Sequence, residues 1–404
     1  MSRSQAFYDR ISHSLPVLRG WAIIWIVAYH LMGNTQGYLV LEDAIDTLSK
    51  GGIKNIVESG LALFISAGST GVNVFLIISG FGLTASWWKK YGARGISTIP
   101  LMTFWKKRVL RIIPQFWAAV AIATLLYFIN PAWAPFGQSI WQTGGLSPLF
   151  AILTTLTTLR NFVSDHYYFL NGAWWYVGLS IQLYLVFPWL IRIGSRYSWR
   201  KLLIASLLFS LTYRAVFCLS PLASGGNLIP LVFFPSRIFE FTLGIYLAIT
   251  LLQPASELQQ DKRLNTWLNH LLLKPQFISI SICLFLIGLS FKWLSYPALH
   301  IFEDALIGIG LFCSLIQLSQ IKFLQFGQLS RIVGKYSYGI YLIHMNVYLI
   351  LWPIASAWIP SYWPRFAVVM LACCAIGIIF EIGFAACSKS LGTRLALQKT
   401  YSRS

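Results

Sequence analysis

The chain has 404 residues, 57% of them hydrophobic and only 11% charged, with a mean hydropathy of +0.66. A water-soluble domain carries about a quarter charged residues, so these proportions exclude an ordinary soluble protein and point to a chain that crosses a membrane many times. A net charge of +19 would suit a nucleic-acid binder, but the 31 Lys and Arg sit mostly in short loops between apolar runs. That placement orients a membrane protein, and no nucleic-acid partner is expected.

Ten segments meet the requirement of about 20 mostly apolar residues for a membrane span. They lie near 15–33, 70–88, 112–130, 173–193, 201–219, 228–252, 277–294, 298–318, 332–354 and 363–387. The first has no small-residue cleavage site after it, so it reads as a retained span rather than a signal peptide. The loop near 34–69 carries Glu42, Asp43, Asp46 and Glu58. The long loop near 131–172 is rich in Trp, Pro, Gly and Asn, which suits a membrane interface or a sugar-binding surface. Within it, 147–160 is apolar but too short to span, and reads as interfacial or re-entrant.

An even number of spans puts both termini on one side. With that side cytoplasmic, 24 of the 31 Lys and Arg fall inside and 5 outside, while Arg214 and Arg237 lie within spans. The asymmetry supports both the count and the orientation. The expected fold is an all-α integral membrane protein, a bundle of about ten transmembrane helices with both termini cytoplasmic. It forms a single domain over 1–404 in the cell (inner or plasma) membrane, surrounded by lipid, with no appended soluble domain. The six cysteines form no CxxC or Cys/His cluster and read as small buried hydrophobes; no metal site is expected.

An ionisable residue near the bilayer centre costs about 2.5–3.5 kcal/mol on insertion scales, which makes each one a functional suspect. Arg237 and Glu240 are three apart and can neutralise each other as a structural pair, or act directly. Glu303 and Asp304 are adjacent, point about 100° apart on a helix, and offer partners for Arg214 or Arg237. Glu381 lies alone in an apolar run and needs a donor from a neighbouring helix.

Arg19 and His30 are separated by eleven positions, about 1100° of helix, so their side chains share one face about 16 Å apart. They cannot touch each other, but they can touch two parts of one elongated molecule. A snorkelling helix-end anchor for Arg19 and a satisfied interhelical polar role for His30 are the alternatives. Arg108 and Arg111 form an RxxR on one helical face at the start of the third span. Two guanidiniums so placed can clamp phosphates, or simply contribute to positive-inside orientation.

These segments together resemble the acyltransferase-3 family of integral membrane acyltransferases. Arg19-x10-His30 resembles its first-span signature. "FLIISGFGL" (75–83), "FWKKRVLRIIP" (104–114), "WWYVGLSIQLYLVFP" (174–188), "RIFEFTLGIYLA" (237–248) and "GKYSYGIYLIHMNV" (334–347) are similar to later family segments in order and spacing. Many members carry glutamates just before the glutamine of the Trp…Gln segment; here Ser180 and Ile181 stand there, and only Gln182 remains.

The resemblance implies an O-acyltransferase that moves an acyl group, most often acetyl, from cytoplasmic acyl-CoA to a hydroxyl of a cell-surface glycan (an exopolysaccharide, for example) or of a lipid-linked sugar. Acetyl-CoA would be a donor co-substrate, with no permanently bound cofactor. In that frame His30 is the general base, Arg19 a contact at the CoA end, and Arg108 and Arg111 hold its phosphates. His344 is a second proton-transfer or orienting group in the presumed core. Tyr29, Tyr338, Tyr341, Ser337 and Asn73 are candidate oxyanion donors, and Arg237, Glu240 and Gln182 are further candidates. A transporter or flippase of a polysaccharide or lipid-linked intermediate is the alternative that the same spans and charges allow.

Overall fold

The computed structural model describes residues 3–37, 52–92, 100–220, 229–253, 274–294, 296–319 and 327–401. Among the described residues the regular structure is entirely helical. The longer helices are α1 (Arg3–Thr35), α2 (Ile53–Ser66), α3 (Gly71–Tyr91), α4 (Leu101–Ile129), α5 (Ser147–Leu156), α6 (Trp175–Arg196), α7 (Trp199–Cys218), α8 (Phe234–Leu252), α9 (Ile278–Trp293), α10 (Glu303–Leu318), α11 (Gly327–Lys335), α12 (Ser337–Trp358) and α13 (Tyr362–Tyr401).

Each of the ten predicted spans falls on a helix. Among the described residues, eight helical stretches are long and apolar enough to cross a membrane. The other two, α9 and α10, have 16 residues each. They rise about 24 Å, a few ångströms short of a hydrocarbon layer of about 30 Å, and they pack against each other as a pair. The protein is a multi-pass membrane helical bundle. The outward faces of its outer helices are apolar, as a lipid solvent requires: α4 exposes Leu110, Trp117, Leu125 and Phe128.

The loop expected near 34–69 is in part a helix. α2 occupies 53–66 and runs through a 3-10 turn, Ala67–Thr70, into α3. The joined stretch Asn55–Tyr91 has 37 residues, too long for one crossing. Polar Asn55, Glu58, Ser59 and Gly60 interrupt the apolar pattern of its first half and hide it from a hydropathy window. Glu42, Asp43 and Asp46 lie outside the described residues.

α8 is the axis of the bundle. Of its apolar window 83% is buried, against 22% for α13. Its contact with α3 is set by two glycines. A Cβ on Gly80 would run into the Phe241 carbonyl, and one on Gly244 into the Ile77 carbonyl. Without Cβ atoms the two backbones touch, the small-residue packing by which membrane helices associate. A similar contact joins α1 to α11: a Cβ on Gly334 would meet the Pro16 carbonyl, and one on Gly20 the Ser330 carbonyl. This second joint brings the end of α11 beside Arg19.

The segment 131–174 is not a spanning helix but a docked cap on α12. Arg160, only 1% exposed, holds it together. Its guanidinium donates to the carbonyls of Tyr167 and Asn171 and lies 5.8 Å from the Trp174 ring centre. Burial pushes this guanidinium down to about 10, since taking a cation out of water disfavours its charged form. Trp174 Nε1 donates to the Leu342 carbonyl at 2.8 Å, and Asn171 Nδ2 to Asn346 Oδ1 at 3.1 Å. The apolar run at 147–160 becomes the short helix α5, which leaves Leu149, Phe150 and Leu153 exposed.

Candidate functional site

Six helices and the tip of α11 enclose a cavity of about 480 Å³. Its size is in the usual range for small-ligand sites. α1 contributes Arg19, Ile23 and Ile26, and α3 contributes Phe75, Ser79, Gly82 and Ser86. Arg108, Arg111, Ile112 and Gln115 come from α4, and Tyr176, Ser180 and Tyr184 from α6. Lys335 on α11, Ser337, Tyr338 and Tyr341 on α12, and Glu381 on α13 complete the wall.

One end is basic. Arg19, Arg108, Arg111 and Lys335 all line it, so both arginines of the RxxR share the wall with Arg19. Arg108 is half-buried, and its Nε is buried with no hydrogen-bond partner among the described residues. A buried donor without an acceptor is costly, so the neighbourhood of this nitrogen is suited to an anion. Glu381 is the single carboxylate on the wall, and its Oε2 is engaged, accepting from the Gly339 N–H at 2.8 Å. This is the neighbouring-helix donor that its lone position in the sequence demanded.

The two histidines are not on the wall but lie close to it in sequence. Ile26 lies one helical turn before His30, and Tyr341 lies three residues before His344. The two imidazole centres are 5.3 Å apart, and the Tyr29 ring lies 5.1 Å from His30. Arg19 and His30 therefore stand at separate stations along one face of α1, as their spacing predicts.

The oxyanion candidates separate on contact. The Tyr338 hydroxyl donates to the Ile112 carbonyl at 3.0 Å, and the Tyr341 hydroxyl donates to the Ala173 carbonyl. Both are already committed to backbone. Asn73 is remote from the histidines in its bonding: its Nδ2 lies 3.3 Å from Glu240 Oε1 and 3.1 Å from Asp304 Oδ1. Ser337 stays on the cavity wall, and Tyr29 lies beside the His30 ring.

Arg237 and Glu240 belong to a different place, a buried ion cluster away from the cavity wall. Arg237 Nη1 is 3.5 Å from Glu240 and also pairs with Asp304. Arg214 pairs with Asp304 and, at 3.0 Å, with Glu303, whose other oxygen meets His300 Nδ1 at 2.7 Å. The adjacent carboxylates Glu303 and Asp304 do not face each other; they grip the same arginine. Gln182 is nearby but is not part of the cluster, its Oε1 accepting from the Phe234 N–H at 3.1 Å at the start of α8.

Sequence reasoning missed Glu381, Lys335, Tyr176 and Tyr184 as cavity residues. Glu381 is visible as an intramembrane charge and Lys335 as a loop cation, and both tyrosines lie in the family-like segment 174–188, of which only Gln182 is singled out as a candidate.

The family model for an acyltransferase domain matches residues 12–382. The chain belongs to the acyltransferase-3 family. The match takes in every helix that lines the cavity. This acyltransferase-3 chain is 22% identical over 401 residues to the Bacillus subtilis (strain 168) protein named "Putative peptidoglycan O-acetyltransferase YrhL", covering 96% of the chain and 56% of that protein. It is 26% identical over 213 residues to the Caenorhabditis elegans protein named "Regulator of hypoxia-inducible factor 1", covering 50% of the chain and 39% of that protein. The chain thus spans about half the length of these relatives or less. No solved structure matches it.

Proposed function

We propose that this protein transfers an acyl group, most simply acetyl, from acyl-CoA to a hydroxyl of a cell-envelope glycan or lipid-linked sugar. The observation that carries the reading is the cavity itself: Arg19, Arg108 and Arg111 line it together, and Ile26, one helical turn before His30, lines it too. CoA is an anion with a slender arm ending in a thioester. Its phosphates match the basic end, where guanidiniums give strong charge-assisted hydrogen bonds. The basic end would face the cytoplasm, in line with the distribution of Lys and Arg.

In the transfer, His30 accepts the proton of the acceptor hydroxyl as its oxygen attacks the thioester carbon. The C–O bond forms, the C–S bond breaks, and the thiolate leaves and takes up the proton, regenerating the imidazole. An imidazole is suited to both proton steps near neutral pH. The name of the Bacillus relative supports a glycan acceptor, peptidoglycan being the first to test. With Ser180 and Ile181 in place of glutamates, and Gln182 held by the Phe234 N–H, α6 supplies no carboxylate base, which is in keeping with a histidine in that role.

The test compares envelope glycans from cells with and without the gene by mass spectrometry. Base-labile O-acyl groups present only with the gene are expected. Glycans of identical chemical structure that differ only in location would instead favour a flippase.

A further inference from the structure

The histidine pair carries an inference that rests on the reading of His30 as base and goes beyond it. His344 lies fully buried in α12, and its Nδ1 is 2.8 Å from the Tyr341 carbonyl and 3.2 Å from the Ile340 carbonyl. A carbonyl can only accept, so Nδ1 carries the ring hydrogen. In the neutral ring the far nitrogen, Nε2, is then a bare lone pair. That nitrogen is buried and has no hydrogen-bond partner among the described residues. An acceptor left so is costly, and it calls for a donor that arrives during the reaction cycle.

The donor at hand is His30. A ring nitrogen lies about 1.2 Å from its ring centre and an N–H···N bond spans about 3 Å, so two imidazoles joined end to end have centres about 5.4 Å apart. The observed separation is 5.3 Å, with the rings tilted by 41°. The two ring centres already stand at the separation that such a bond requires. Catalytic hydrogen bonds of this kind commonly tighten only in the loaded complex.

We propose that His344 is the positioning residue for His30. Its Nε2 accepts the ring N–H of His30, which fixes which His30 nitrogen is presented to the acceptor hydroxyl. The same bond strengthens when His30 takes that proton and becomes an imidazolium. The proton stays on His30; His344 receives a hydrogen bond, not the proton, and its own Nδ1 hydrogen stays on the Tyr341 and Ile340 carbonyls. A base oriented by a third group is the general logic of activated catalytic sets.

Two substitutions separate this role from packing. In His344→Asn the side-chain amide reaches the position of Nδ1 and keeps the local backbone bond, but nothing stands where Nε2 was. In His344→Gln the longer side chain places an acceptor oxygen near the Nε2 position. The assay uses inverted membrane vesicles from the host, which hold the native acceptor, with radiolabelled acetyl-CoA and base-labile label as the readout. Turnover is expected to fall about 50-fold or more in His344→Asn and within about fivefold in His344→Gln. The Michaelis constant for acetyl-CoA should change less than about twofold in both. His344→Phe, which fills the same space without a ring nitrogen, stands in for the Asn variant if that one fails to accumulate. Equal losses in the Gln and Asn (or Phe) variants would overturn the proposal, because a packing residue or a direct base is lost alike in each. So would wild-type turnover in the Asn or Phe variant. His30→Ala is the control: if it labels at the wild-type rate, the reading of His30 as base fails. If it is silent while the Gln and Asn variants match, only the positioning role fails.

Discussion

The arginines of the ion cluster and those of the cavity differ in what faces them. Arg214 and Arg237 are met by Glu303, Asp304 and Glu240, with Asn73 donating to Glu240 and Asp304 and His300 meeting Glu303. Arg19, Arg108 and Arg111 share a wall with one carboxylate, already bound to a backbone N–H, and among the described residues they form no ion pair. Buried charges that are matched hold helices together; charges on a cavity wall without a counter-charge are available to a ligand. Sequence alone marks Arg19, Arg214 and Arg237 as out of place in a membrane and sets Arg108 and Arg111 at the start of a span; their partners separate the two groups.

The comparison can be broken from either side. The largest effect belongs to the site: His30→Ala should lower acyl transfer by about 10²–10⁴-fold, the usual loss of a general base, while the protein accumulates normally. Rates near wild type in vesicles would remove His30 from the chemistry. Next is Asp304→Ala, which strips Arg214 and Arg237 of a shared carboxylate. Losing one partner of a buried pair costs about 3–5 kcal/mol, so the thermal midpoint in detergent should drop steeply. An unchanged midpoint would mean that the cluster is not structural. The smallest of the three is Arg108→Ala with Arg111→Ala. Each charge-assisted hydrogen bond lost is about 1.5–3 kcal/mol, so the Michaelis constant for acetyl-CoA should rise about tenfold or more. Thermal stability should stay near wild type. A large stability loss there, with the constant unmoved, would place these arginines with the ion cluster instead.

The spans were legible because a membrane demands about 20 apolar residues in one run, a signal that survives without knowledge of any neighbour. The shared face of Arg19 and His30 followed from helix geometry alone. The meeting of His30 with His344 did not, since 314 positions separate them and no local pattern encodes which helices become adjacent. The choice of Asp304 as the shared partner of Arg214 and Arg237 was hidden for the same reason. The cap over 131–174 was hidden for another: Arg160 and Trp174 hold it by bonding to backbone carbonyls, which every residue possesses. Such contacts leave no trace in residue type.

The Gly80–Gly244 joint has a mechanical consequence. α3 carries Asn73 in the ion cluster on one face and lines the cavity from Val72 to Ser86 on another, with the backbone contact to α8 at Gly80. One joint therefore holds both faces in place. A bulkier residue at either glycine would pry α3 from α8, and the shift would be felt on both faces: carboxylates drawn away from their arginines on one, and a cavity of altered bore on the other.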